Sequence, residues 1–126
     1  DSGGSAEAGR SPSPTPTPGW DTGPDSVAAV GDSITRGFDA CTVLSDCPEV
    51  SWATGDSAEV DSLAVRLLGR KRAASRSWNH AVTGARMADL AGQMARAARH
   101  RPELVAVLVG ANDACRPTVS AMTPVA

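Results

Sequence analysis

Val27-Ala28-Ala29-Val30-Gly31-Asp32-Ser33-Ile34-Thr35 decides how the rest of the chain is read. Its four leading apolar residues have the pattern of a buried strand, and the glycine after them ends it. Strand, sharp turn, then helix is the geometry that lifts a serine hydroxyl clear of a sheet edge and aims backbone N–H groups at whatever it attacks. Ser33 is therefore a candidate nucleophile. Taken alone, Gly31-Asp32-Ser33 has a plainer reading, a polar turn whose Asp or Ser caps the next helix.

Two further motifs change the weighting. Asn79-His80-Ala81-Val82-Thr83-Gly84-Ala85 puts a glycine just past a second candidate strand, Ser77 to Val82, and Gly110-Ala111-Asn112-Asp113 follows the apolar run Leu104-Val105-Ala106-Val107-Leu108-Val109. Each sits where a parallel strand ends. In this order and context the chain resembles the SGNH/GDSL hydrolase family from about Val27 onward: a G-D-S at the nucleophile, a glycine from the second block, and G-x-N-D in the third. Gly31 to Phe38, as GDSITRGF, and Gly84-Ala85-Arg86-Met87-Ala88-Asp89-Leu90 look closest to its secreted actinobacterial branch.

The resemblance implies a flavodoxin-like three-layer α/β/α fold on a parallel sheet, with Ser33, Gly84 and Asn112 at one carboxyl edge, where open α/β sheets bind ligands. It also implies an esterase or lipase-like activity without metal or cofactor. Ser33 would attack a carboxylic ester and form an acyl-enzyme, and the Ser33 N–H, the Gly84 N–H and the Asn112 side-chain amide would form the oxyanion hole. The residue types suit those roles: a glycine admits close approach of backbone to substrate, and a neutral amide donates a hydrogen bond with no charge to desolvate. Asp32 and Asp113 read as side chains that hold their turns.

The general base is what the motifs lack. The family carries it in a D-x-x-H block, whereas His80 is preceded three positions earlier by Ser77 and His100 by Ala97. His80 reads as a hydrogen-bonded structural residue, and His100 as an imidazole at a helix C-terminus. With its last residue shortly after the third strand, the chain is expected to be the front part of a hydrolase domain, truncated after that strand and inactive alone. The alternative is a non-catalytic binding module that keeps the fold and the cleft.

Composition sets the frame. Of 126 residues, 1–24 are built from Ser, Thr, Pro, Gly and Ala and read as a disordered linker, since so little apolar surface cannot offset the entropy of ordering; 25–126 form the domain portion. A net charge of −2 and a pI near 5.6 give no reason to expect a nucleic acid partner. No apolar run approaches the ~20 residues of a membrane span. A small-molecule, lipid or carbohydrate ester is the expected partner, and nothing in the sequence sets the oligomeric state. Cys41 and Cys47 bracket a short polar loop and suit a local disulfide in an exported protein. A zinc site is the weaker reading, because Cys115, His80 and His100 do not complete a set of four ligands at recurring spacings. Cys115, the odd cysteine, is expected either to lie buried or to pair outside the chain.

Between the motifs, Thr35 to Gly55 reads as a long irregular loop, and Phe38 and Trp52 in it either line a cleft or pack the loop down. Asp56 with Glu59 resembles a capping box opening a helix through Val60, Leu63, Ala64, Leu67 and Leu68 to Gly69. Arg70-Lys71-Arg72 then reads as a solvated helix end. From Arg86 to His100, Met87, Leu90, Ala91, Met94 and Ala98 mark a second amphipathic helix, with both methionines as core filler. The uniformly apolar Leu104 to Val109 reads as a central strand covered on both faces. No G-x-G-x-x-G or G-K-[ST] loop supports nucleotide binding.

Overall fold

The computed structural model describes residues 23–122, so the linker expected over 1–24 lies outside the described residues except for its last two. Three parallel strands, β1 (Val27–Gly31), β2 (Ser77–Asn79) and β3 (Leu104–Leu108), form a sheet in the order β2-β1-β3. Val27 pairs with Ser77 on one side and with Leu104 on the other. Because side chains alternate across a strand, β1 feeds two cores. Val27 packs with Ala64, Leu68 and Ala73, from α2 (Leu63–Leu68) and α3 (Arg70–Arg76). Ala28 and Val30 pack with Ala97 of α4 (Leu90–Ala98), joined by Trp78, Leu90 and Val105. Helices on both faces of a parallel sheet make the α/β/α layering expected from the order of the elements. Two short helices, α1 (Ser33–Arg36) and α5 (Ala111–Ala114), follow the ends of β1 and β3.

Several boundaries differ from the sequence reading, each for a local reason. The first long helix begins at Leu63 and not at Asp56, because Ser62 is its cap: the Ser62 Oγ accepts from the Val65 N–H at 3.2 Å and donates to the Gly55 carbonyl at 2.7 Å. Gly69 does end α2, at φ +83°. Arg70-Lys71-Arg72, however, opens α3 instead of closing a helix. A cation at a helix N-terminus opposes the dipole, and Arg70 is held there by donating to the carbonyls of Asp56, Ser57 and Val60.

The sheet and the second helix depart from expectation too. The α4 helix starts after a 3-10 turn, Met87–Asp89, and buries Gln93 and Ala97, while Ala91, Met94 and Ala98 are exposed. Met94 is therefore not core filler. β2 stops at Asn79, three residues early, as the chain turns toward Gly84. β3 is not the central strand of the described sheet: Val107 and Leu108 are 48% and 40% exposed, and the central, wholly buried position belongs to β1. A uniformly apolar run marks a strand without telling which neighbours it has.

Candidate active site

Gly31 is where β1 stops being a strand. Its φ is +144°, and a Cβ there would overlap the carbonyl oxygen of Leu108 on the adjacent strand. The next residue ties the two strand ends together, the Asp32 N–H donating to the Leu108 carbonyl at 3.3 Å. Asp32 is buried, and its Oδ1 caps α1 by accepting from the Ile34 N–H at 3.0 Å. Ser33 is thus the first residue of α1, half-buried, at the carboxyl end of the central strand. Among the described residues, neither its N–H nor its hydroxyl has a hydrogen-bond partner.

The second motif makes a turn. The Ala85 N–H donates to the Val82 carbonyl at 3.0 Å, with Gly84 at φ +88° in the third position, the place where such a turn requires glycine. Nothing lies within 4 Å of where a Gly84 Cβ would sit, so conformation and not crowding calls for the glycine. The third motif reaches this turn directly: the Asn112 Nδ2 donates to the Ala85 carbonyl at 2.9 Å, and the buried Asp113 carboxylate accepts from the Met87 N–H at 3.0 Å. Asp32 holds its own turn, as its sequence position implies, whereas Asp113 reaches across to the Met87 N–H after the Gly84 turn instead of bracing its own. One oxygen of each, Asp32 Oδ2 and Asp113 Oδ1, is buried without a protein partner.

Asn112 and the Gly84-Ala85 turn are therefore in contact, and Ser33 stands on the neighbouring strand end, joined to the β3 end through Asp32. No hydrogen bond links Ser33 to Gly84 or Asn112 among the described residues. One N–H of the Asn112 amide stays available after the bond to Ala85, since the group has two. Beside Gly84 opens a cleft of about 450 Å³ whose walls include Val82, Ala85, Ala88, Gly92, Gln93 and Arg96. Its volume is within the range of small-molecule sites. Ser33 is not among its walls.

A brace connects α1 to the glycine turn. The Arg36 Nε lies 3.3 Å from the Asp46 Oδ2, and the Thr83 Oγ1 donates to the Asp46 Oδ1 at 2.6 Å. Asp46 is presented by the loop that the Cys41–Cys47 disulfide closes, a bridge the sequence spacing suggests and the structure contains. Those two sulfurs and Glu49 are the one group of potential metal ligands found together among the described residues, and the disulfide engages both sulfurs. Cys115 is exposed and free, so it is not the buried cysteine that was one of its two expectations. Trp52 packs its loop down, donating from Nε1 to the Thr35 Oγ1 at 3.2 Å.

The two histidines pair with each other. The Nε2 atoms of His80 and His100 approach to 2.9 Å, and His100 stacks on Trp78 with ring centroids 4.3 Å apart. Partial burial, then the proximity of His100, Arg96, Arg36 and Arg99, holds the His80 pKa below the ordinary imidazole value. Each imidazole is the other's partner, and neither bonds to Ser33.

An open parallel α/β sheet with three glycine-broken turns at its carboxyl edge belongs to the class of proteins that bind small molecules at that edge. The family model of the GDSL-like lipases and acylhydrolases matches residues 29–126, and the chain belongs to that family. The match spans Ser33, Gly84 and Asn112, and family membership makes the chain a hydrolase in kind, with ester hydrolysis as the general activity. No curated protein and no solved structure matches the chain significantly.

Proposed function

We propose that this chain carries the nucleophile and oxyanion hole of an exported serine esterase. Ser33 Oγ attacks the carbonyl carbon of a carboxylic ester, its proton passes to a base, and the carbonyl electrons move onto oxygen. The tetrahedral oxyanion then collapses, expelling the alcohol and leaving the acyl group on Ser33, which water removes in a second round. The Ser33 N–H, the Gly84 N–H and the free N–H of Asn112 are the donors for that oxyanion. The observation that carries the reading is the Asn112 contact with the glycine turn at 2.9 Å, with Ser33 on the neighbouring strand end and its N–H and Oγ unengaged among the described residues.

His80 and His100 are engaged with each other, so the base is assigned to a group outside the described residues. The disulfide supports an oxidising compartment. A family breadth of lipases and acylhydrolases suits an ester substrate without choosing among lipid, carbohydrate and small aryl esters.

The test is hydrolysis of a short-chain aryl ester by the full-length protein. Ser33→Ala abolishes turnover, and Asn112→Ala lowers kcat by about a hundredfold with a smaller effect on KM. Undiminished turnover in Ser33→Ala rejects the nucleophile. Binding of esters with no turnover by the wild type is the result that favours a binding module, a reading supported by the pairing of both imidazoles with each other instead of with Ser33.

A further inference from the structure

The Gly31 peptide is gripped by a side chain that the three motifs do not include. Gln93 on α4 is 1% exposed, and both ends of its amide are used on one residue. Its Oε1 accepts the Gly31 N–H at 2.6 Å and its Nε2 donates to the Gly31 carbonyl at 2.9 Å. That carbonyl also receives the Val82 N–H at 3.0 Å, the last bond linking β1 to the segment after β2. Among the described residues, the Gly31 N–H has Gln93 alone. At φ +144° the backbone has left strand geometry, and a donor stranded at that point in a wholly buried layer needs an acceptor from elsewhere.

A neutral primary amide meets this need where other side chains of its length do not. Methionine offers neither partner, and an ionised carboxylate accepts but cannot donate. The grip refers the turn at Asp32 and Ser33 to α4, the helix that also lines the cleft beside Gly84.

We propose that Gln93 is a positioning residue for the hydrolysis carried out at Ser33: by fixing both polar groups of Gly31 it sets where the Ser33 N–H and Oγ stand relative to the Gly84 and Asn112 donors. The proposal rests on the serine-esterase reading above. It assigns Gln93 its main effect on the chemical step: although Gln93 is among the walls of the cleft, it is 1% exposed with both ends of its amide bonded to Gly31, and it acts on Ser33 two residues away through the backbone.

Two variants of the full-length protein test it, assayed on a short-chain aryl ester with wild type and Ser33→Ala alongside. In Gln93→Met, kcat falls by about a hundredfold, as expected for a misplaced reacting group, while KM changes by less than about threefold. In Gln93→Glu, a protonated carboxyl can reproduce both bonds, its O–H donating to the Gly31 carbonyl and its C=O accepting the N–H. That variant is active at acidic pH and loses kcat as the buried carboxyl ionises, giving a falling limb that the wild type lacks. If Gln93→Met fails to fold, this limb decides alone. Wild-type kcat in folded Gln93→Met, or a Gln93→Glu profile superimposable on the wild type, overturns the role of Gln93 while Ser33→Ala remains inactive. A wild type that does not hydrolyse the ester, or a Ser33→Ala variant that does, overturns the esterase reading and this proposal together.

Discussion

Gly31 admits no other residue. Its backbone at φ +144° is a conformation that L side chains rarely adopt, and the Leu108 carbonyl occupies the space a Cβ would need. Gly31→Ala should therefore cost about 3 kcal/mol from strain and overlap together, measured by urea denaturation, and should push β1 and β3 apart where Asp32 bonds to Leu108. A loss below about 0.5 kcal/mol, the size of an ordinary surface change, counts against that account. His80 makes a pH-dependent prediction. Burial, His100 and the guanidinium groups of Arg96, Arg36 and Arg99 hold its pKa down, so the unfolded chain takes up this proton before the folded chain does. Stability is then full above about pH 6.5 and declines as pH falls below it, through the window down to the lowered folded value. Denaturation of wild type and His80→Gln across that window checks the sign: the variant should lose less stability on acidification, and an equal or greater loss contradicts the assignment.

Elements were legible where a chemical signal sat at their ends, and blurred where tertiary contacts set the boundary. β1 and the three glycine turns were readable because glycine marks backbone that other residues cannot adopt, at Gly31 and Gly84 alike. Asp56 with Glu59 looked like a cap, yet Ser62 was the cap, because only Ser62 both receives the Val65 N–H and reaches the Gly55 carbonyl of a loop folded against it. Ser62→Ala should lower stability by about 2 kcal/mol in chemical denaturation, a cap and a buried bond lost together, and an unchanged midpoint would return the helix start to Asp56. The amphipathic stripe on α4 runs through hydrophobic residues in the sequence, and Gln93 does not stand out in it because its partner is 62 residues away. A usable signal was present: a glutamine in line with Leu90 and Ala97 on the buried face of a helix requires a polar partner in the core.

At the scale of the molecule, the Cys41–Cys47 bridge closes a loop whose ends are 6 residues apart and holds Asp46 between Arg36 and Thr83. Replacing both cysteines by serine should cost about 2 kcal/mol from chain entropy, and it should also loosen the turn at Gly84, so kcat of the full-length enzyme should fall while the ester KM stays nearly constant. A double variant as stable and as active as the wild type would leave the loop without a role in the site. The strand order β2-β1-β3 has a consequence in time. The strand that leads the sequence stands in the middle of the sheet, and its partners on both sides arrive later, one bond spanning 77 residues from Glu103 to Ser26. Such distant pairings close slowly, so during synthesis the apolar Val27–Val30 segment emerges before both of its partners and waits for them, an adhesive stretch without its neighbours. The serine turn is shaped only when β3 docks and the Asp32 N–H meets Leu108. The arrangement that the proposed esterase chemistry needs at Ser33 therefore forms late relative to β1 itself, and a chain whose β3 has not docked carries the serine in an unshaped turn.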